Sequence, residues 1–262
     1  MRINHNISAM VTQGALYKNN RALSTSLERL STGLRINRAS DDAAGLGVSE
    51  NLRTQVRGQA QAQRNAQDGI AALNIAEGAM NEVSAVLQRM RELAIQASND
   101  TLTDTERGYL DTEFQALDGE INRIANVTNY NGQSLLDGAG FGDGTDELWV
   151  DAGSTAGTDS INAITIDPVR SADLAINTLA VDTQANATGA IDDLDNAIDS
   201  VNNARADVGA LTNRLDHAIN NLLVSEANQQ SAESVIRDAD FATETAAFTR
   251  NQILVQSRSE ER

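Results

Sequence analysis

The chain has 262 residues, a length that makes about one or two domains. Aromatic residues are only 3% of it and proline occurs once, at Pro168, which excludes a globular core built on bulky rings, while a 40% hydrophobic content excludes general disorder and permits long helices. The net charge of −17 and a pI of about 4.4 argue against non-specific binding to nucleic acid or attraction to anionic membranes.

In chain order, Leu16, Leu23 and Leu30 recur every seven residues, Leu27 fills an intermediate position, and Ile3, Ile7 and Met10 continue the apolar spacing upstream. The spacing predicts a first helix carrying one apolar seam. Residues 33–42 (GLRINRASDD) interrupt it. Asp41 and Asp42 follow Ser40 at the start of the next pattern, where carboxylates cap free amides and complement the helix dipole, so capping is favoured over acid–base chemistry. Beyond them Ala66, Leu73, Met80, Leu87 and Ala94 form a second heptad series, with Ile70, Val83, Met90 and Ala97 close to its other seam position. Only isolated glycines interrupt residues 43–98, and the spacing predicts a helix about 84 Å long at 1.5 Å per residue.

Residues 99–103 read as a turn, and Thr103, Asp104, Thr105 and Glu106 have the spacing of a capping box. A third helix is expected there, with Leu110, Phe114, Leu117, Ile121, Ile124 and Val127 facing back onto the long one and an end near Asn129. From 130 to 177 the composition shifts to Gly, Asp, Ser and Thr around short apolar stretches, ELWV from Glu147 and AITI from Ala163, which read as strands and turns. From about Gln184 the heptad returns in Leu194, Val201, Val208, Leu215 and Leu222, with Ile191 and Ile198 on the neighbouring seam position. The register breaks near Gln229, and Phe241, Phe248 and Val255, with Leu254 beside them, make a last series. Both ends thus carry a short apolar helix outside a long one. The expected fold is mainly α, a long antiparallel coiled-coil bundle pairing N- and C-terminal segments around a small β-hairpin region. A short helix pair is marginal alone, so the terminal seams are expected to await neighbours.

Charge and chemistry narrow the function further. Residues 1–60 carry eight basic and four acidic side chains, whereas 130–200 carry thirteen carboxylates and one base, Arg170. Nineteen of the twenty basic residues are Arg, the residue suited to bidentate pairs at interfaces, which suggests packing between chains. No Cys is present, so disulfides, thiolate metal sites and cysteine nucleophiles are excluded. No apolar run reaches a membrane span, and the opening MRINHNISAM lacks a basic-then-apolar secretory signal. His5 and His217 each lack a second ligand at metal spacing. Gly138, Gly140, Gly142 and Gly144 have neither a leading strand nor a following Lys-Ser/Thr helix start, so a surface turn is favoured over a phosphate cradle. Asp137, Asp143, Asp146 and Asp151 lack the regular calcium-loop spacing and read as a solvated acidic loop. No Ser-His-acid relay is oriented by anything in the pattern. No cofactor, metal or catalytic activity is expected.

Several long motifs, in order, resemble bacterial flagellin: INHNISAM from Ile3, LERLSTGLRINRASDDAAGLGVSENLR from Leu27, LQRMRELAIQASN from Leu87, NVTNYNGQSLLDG from Asn126, ARADVGALTNRLDHAINNL from Ala204 and IRDADFATETAAFTRNQIL from Ile236. The resemblance implies a structural subunit that polymerises into the extracellular flagellar filament for swimming motility, exported by the flagellar type III apparatus, which explains the missing signal. It implies inner-tube terminal helices at 1–42 and 238–262, and an outer-tube bundle at 43–237 with a small β element at about 131–183. The implied polymerisation interface comprises Ile3, Ile7, Leu16, Leu23, Leu27, Leu30, Phe241, Phe248 and Val255. Implied partners are further copies of the chain, the flagellar cap, junction proteins and an export chaperone. The vertebrate innate flagellin receptor is a further one, through Arg89, Leu93 and Glu113, with bundle core for Leu93 and pairing within the outer tube for Arg89 as the alternative. Family members continue past the NQIL-type segment with a run rich in Ala, Leu, Val and Gln where this sequence has RSEER, so a shortened inner C-terminal helix is expected. The alternatives are a hook–filament junction or other filament-associated protein of the same superfamily, an enzyme-bearing flagellin, and a generic coiled-coil scaffold.

Overall fold

A computed structural model describes residues 7–138 and 166–260. Its elements are α1 (Ile7–Thr32), α2 (Ala43–Ala97), α3 (Asp104–Val127), β1 (Asn129–Tyr130), β2 (Gln133–Ser134), α4 (Gln184–Arg237) and α5 (Phe241–Glu260). Contacts divide the chain into two units, Gly58–Leu223 and Met1–Arg57 with Val224–Arg262, to which α2 and α4 each contribute different parts.

In the unit Gly58–Leu223 the heptad seams are the core. Ala66, Leu73, Met80, Leu87 and Ala94 of α2 are at most 1% exposed, as are Val83, Met90 and Ala97. Leu194, Val201, Val208, Leu215 and Leu222 of α4 join them, together with Ala187, Ala190, Ala197 and Ala204, which the apolar pattern passed over. Phe114 and Ile121 of α3 are fully buried against this core, with Leu110, Leu117 and Ile124 partly buried. Val127, at the last residue of α3, is 54% exposed.

The turn after α2 is held from both sides. At the start of α3 the Thr103 backbone N–H and hydroxyl both donate to Glu106 Oε2, at 2.8 and 2.9 Å, forming the capping box. The Arg107 side chain, almost fully buried, donates to the carbonyls of Ala97 (2.8 Å) and Asn99 (3.0 Å) and pairs with Asp104 (2.8 Å). Those carbonyls lie at the end of α2, where the helix itself leaves acceptors open. α3 ends at Val127 and a hairpin follows, pairing Asn129 with Ser134 and Tyr130 with Gln133. Asn131 and Gly132 form its two-residue loop with φ of 53° and 81°, the left-handed geometry of the type I′ turn that Asn-Gly favours. Strand pairing thus starts two residues before the expected 131. The expected strands from Glu147 and from Ala163 to Thr165 lie outside the described residues.

Residues 166–181 form no strand. They lie as a strap whose Ile166, Val169, Leu174, Ile176 and Val181 are buried. One polar stripe of α3 grips its backbone: Asp111 Oδ1 accepts from Val181 N–H (2.9 Å), Gln115 Nε2 donates to the Leu179 carbonyl (2.9 Å), and Asn122 Oδ1 accepts from Ser171 N–H (3.1 Å). These positions are spaced four, three and four along α3, counting Asp118 between Gln115 and Asn122, so one face presents them all.

In the other unit α1 ends and α5 begins at a short antiparallel bridge between Leu34 and Asp238, so the two helices pack antiparallel, with Arg29 facing Glu244 at 3.6 Å. Gly33, with φ of 73°, ends α1 in the left-handed conformation that glycine adopts most readily. Arg35 N–H donates to the Arg237 carbonyl (2.7 Å) and Ala239 N–H to the Gly33 carbonyl (2.9 Å). The Arg35 guanidinium donates to the Ile236 carbonyl (2.6 Å), and Arg237 pairs with Glu50 (2.9 Å). The two aspartates expected to cap α2 divide the work. Asp42 Oδ1 accepts from Gly45 N–H (2.9 Å) and is the cap. Asp41 instead accepts from the Asn37 and Arg38 N–H groups (3.2 and 3.0 Å), closing the preceding loop, and these bonds hold its carboxyl below the usual aspartate range. α4 runs through Gln229 to Arg237 without a break: losing an apolar register removes a seam, but no Gly or Pro is present there to stop a helix. Charge is divided sharply between the units. Residues 58–223 carry 26 acidic and 8 basic side chains, and the rest of the chain 11 and 12.

Candidate assembly surfaces

The terminal helices each present two faces. On α1, Leu16, Asn19, Leu23, Ser26 and Leu30 are half-buried or buried, a helical stripe that packs on α5. On α5 the corresponding stripe is Glu244, Ala247, Phe248, Asn251 and Val255, all half-buried. Opposite these stripes lie apolar faces that no other described residue covers. Ile7, Met10, Val11 and Tyr17 of α1 are 62–70% exposed, and Phe241, Ala242, Thr245, Ala246, Thr249 and Ile253, with Arg250 among them, line an open groove along α5. Neither helix buries a large apolar side chain.

Against this geometry the expected interface residues sort into two sets. Leu16, Leu23, Leu30, Phe248 and Val255 are half-buried in the α1–α5 pairing. Ile7, Leu27 and Phe241 are 62%, 56% and 58% exposed, and Ile3 lies outside the described residues. Leu27 is not the intermediate seam position that its spacing suggested. Ser26, at 4% exposure, fills that place because the stripe facing α5 runs through 23, 26 and 30. Phe241 is the first residue of α5, and its ring swings towards Gly33 (4.0 Å from where a Cβ would stand) rather than continuing the line of Phe248 and Val255.

The second expected surface lies on α2 and α3. Arg89 is exposed and forks onto Glu113 Oε1 through Nε (3.0 Å) and Nη2 (2.8 Å), with Glu92 at 3.1 Å from Nη1. Leu93 has no exposed surface and belongs to the core, so an apolar anchor beside Arg89 is not presented at the surface. Residues four apart share a face only within about 40°, and here that rotation separates solvent from the seam. Arg91 donates to both carboxylate oxygens of Asp195 on α4, through Nε to Oδ1 and Nη2 to Oδ2, which depresses that carboxyl. The arginine bias read as a sign of packing between chains therefore serves in large part within the chain.

Two functional features escaped the sequence reading: Arg107 as the clamp of the α2–α3 turn, and the polar stripe of α3. Burial raises the Asp118 carboxyl within that stripe above the usual aspartate range, and its Oδ1 has no hydrogen-bond partner. Neither has a local signal, since each side chain reads as an ordinary surface polar position until its distant partner is known. His217 is exposed on α4, and His5 is outside the described residues. Among the described residues no cluster of His, Asp and Glu is arranged to hold a metal, and no helix is long and apolar enough to cross a membrane. Gly140, Gly142, Gly144, Asp143, Asp146 and Asp151 fall outside them.

Residues 3–140 match the family model of the bacterial flagellin N-terminal helical region, and residues 191–260 that of the C-terminal helical region. The flagellin of Halalkalibacterium halodurans is 44% identical over 261 residues, spanning 98% of this chain and 93% of that protein. The flagellin of Bacillus subtilis and the flagellar filament 33 kDa core protein of Treponema phagedenis are each 41% identical with the same coverage. The crystal structure of Bacillus cereus flagellin superposes with a TM-score of 0.53 at 37% identity, covering 61% of this chain and 88% of that one. A structure described as a flagellar hook-associated protein of Vibrio parahaemolyticus shares the fold, with a TM-score of 0.60 at 18% identity over 75% of this chain and 99% of that one.

Proposed function

The chain belongs to the bacterial flagellin family, and we infer that its terminal helices join it to further copies through the faces that the single chain leaves open. It is a structural subunit of the flagellar filament and not an enzyme. The observation that carries the assembly reading is the pairing of an almost fully buried core in Gly58–Leu223 with uncovered apolar faces on α1 and α5. Burying apolar surface contributes about 25 cal/mol per Å², so faces of this kind favour association wherever a matching surface is offered. Ile3, Ile7, Leu27 and Phe241 belong to the contact between copies, while Leu16, Leu23, Leu30, Phe248 and Val255 hold the two helices in the form that makes it. On this reading residues 1–42 and 238–262 line the inner tube and 43–237 the outer one.

The experiment is seeded growth observed by electron microscopy. Leu27→Asp, alone and with Leu23→Asp, is expected to abolish elongation while the helix content of Gly58–Leu223 is retained. Filaments of normal length from the Leu27→Asp variant would remove Leu27 from the assembly surface, and from the double variant would show that the α1–α5 pairing through Leu23 is not needed for assembly.

Extracellular localisation, type III export and partnership with the cap, junction proteins and export chaperone follow the same family reading. So does recognition by the vertebrate innate receptor. Arg89 and Glu113, bridged as one polar patch, form its contact, and Leu93 supports Arg89 from the core. Arg89→Ala in the folded monomer is expected to cost about 1 to 3 kcal/mol of receptor binding. An unchanged affinity in direct titration would dismiss the assignment.

A further inference from the structure

Asn131 and Gly132, the loop of the β1–β2 hairpin, make the single Asn-Gly step in the chain. Both are exposed and both have positive φ. Nothing beyond the adjacent residues lies within 4 Å of the position a Gly132 Cβ would take, so that side of Gly132 is open, and glycine brings no side chain of its own against its nitrogen. We propose that Asn131 is a site of spontaneous covalent modification, its side-chain amide converting to a carboxylate through a cyclic imide closed by the Gly132 backbone nitrogen.

The step needs only water and a base. The Gly132 N–H gives its proton to solvent base and the nitrogen attacks Asn131 Cγ. A new N–Cγ bond forms, the Cγ–Nδ2 bond breaks, and Nδ2 leaves as ammonia after taking up a proton. Water then opens the imide. Cleavage of the N–Cγ bond gives aspartate at 131. Cleavage of the bond from that nitrogen to the Asn131 backbone carbonyl carbon gives an isoaspartyl linkage, in which the chain runs through the side-chain carbon and gains one backbone methylene. No atom changes oxidation state.

Among the described residues the other asparagines are placed less favourably. Those inside helices, such as Asn65 and Asn203, precede amides already committed to helical hydrogen bonds. Outside helices, Asn37, Asn99, Asn129 and Asn177 precede Arg38, Asp100, Tyr130 and Thr178, whose side chains crowd the attacking nitrogen. The hairpin sets the rate. Ring closure requires the Gly132 nitrogen to swing against Asn131 Cγ, a backbone rotation that the left-handed turn opposes while Tyr130 and Gln133 stay paired. That pairing has only two residues a strand, so its opening is a small local event. The two products differ in consequence. Aspartate tolerates the left-handed conformation and keeps the turn. The isoaspartyl form lengthens the loop, so Leu135 N–H is drawn from the Thr128 carbonyl (3.1 Å) and Leu135 and Leu136 from the core.

The test is incubation of the full chain at neutral and mildly alkaline pH, folded and in urea, followed by tryptic peptide mass spectrometry with fragment-ion localisation and isoaspartyl methyltransferase labelling. Amide-to-acid exchange is expected at Asn131 before any other asparagine, faster at the higher pH, and about tenfold faster in urea than in the folded chain. The Asn131→Asp variant should show no mass change in that peptide. Exchange at other asparagines with Asn131 intact, folded and unfolded, would overturn the site. Equal rates folded and in urea would overturn control by the hairpin.

Discussion

Gly45 and Gly47, two residues apart in the first turns of α2, should respond to alanine in opposite directions. A Cβ on Gly45 would stand 2.5 Å from Asp42 Oδ2 and 2.8 Å from Ile36 Cδ1. Neither neighbour yields freely, since Asp42 is fixed by its cap bond to the Gly45 N–H and Ile36 is 1% exposed. Relief through Asp42 forfeits an N-cap at about 0.5–2 kcal/mol, and relief through Ile36 overpacks a buried site at about 1–3 kcal/mol. Against this stands the gain of about 1 kcal/mol from replacing glycine inside a helix. Both neighbours have to yield, so Gly45→Ala is expected to lose about 0.5–4 kcal/mol net. At Gly47 a Cβ meets nothing within 4 Å, and the alanine variant should gain about 0.5–1 kcal/mol. The assay is hydrogen exchange by mass spectrometry on peptides covering residues 33–57, where each 1.4 kcal/mol changes protection about tenfold when opening is at equilibrium. If both variants raise protection there, the close approach of Gly45 to the cap and to Ile36 is refuted.

Asp118→Asn should stabilise the chain at neutral pH. Burial raises the Asp118 carboxyl, so the folded state holds the proton more tightly and stability falls as pH rises from the unfolded aspartate value through the higher folded one. The variant's advantage should be complete above that folded value and absent below the unfolded one, checked by urea midpoints across pH; an advantage that persists in acid would contradict it. Asp41 and Glu106 are shifted the other way by their hydrogen bonds, so what they contribute is lost as pH falls through their depressed values, and Asp41→Asn should flatten that acid limb. Seeded elongation should accelerate as salt rises from low ionic strength towards 0.15 M, where the Debye length is about 8 Å, because residues 58–223 of neighbouring copies repel one another; slower growth in salt, measured by turbidity and microscopy, would show that attractive ion pairs between copies dominate.

The helices and their core were legible because a heptad states its own partner: Leu73, Met80 and Leu87 repeat at the spacing of a seam, and a seam that long has nowhere to go but inward. The capping box at Thr103 was legible for the same local reason. Legibility failed where the deciding contact is remote. Leu27 and Ser26 are adjacent, and apolarity alone favours Leu27, yet the direction of α5 selects Ser26. Leu93 and Arg89 share a helix face within the tolerance of sequence spacing, and only the position of the seam shows that one is core and the other surface. Residues 166–181 resemble strands in composition. Their backbone is satisfied by Asp111, Gln115 and Asn122 of α3, a solution that leaves no periodic trace in the strap itself.

The division of charge and apolar surface between the two units restricts how copies of the chain can associate. An uncovered apolar face attracts any similar face, and α1 and α5 offer theirs with almost no excess charge around them, since the unit that holds them carries 12 basic and 11 acidic residues. Residues 58–223 add 18 negative charges in excess to every copy, so random approach is opposed at separations up to about a Debye length, while the apolar contribution acts only on contact. Association then requires an arrangement in which the terminal faces meet while the acidic units are held apart or screened. A closed head-to-head dimer would cover one pair of faces and stop. The open face of α5 and the open face of α1 are different surfaces, and joining one to the other between copies is heterologous contact, which leaves a free face of each kind at the ends and continues as an open filament wherever the rotation between copies does not close a ring.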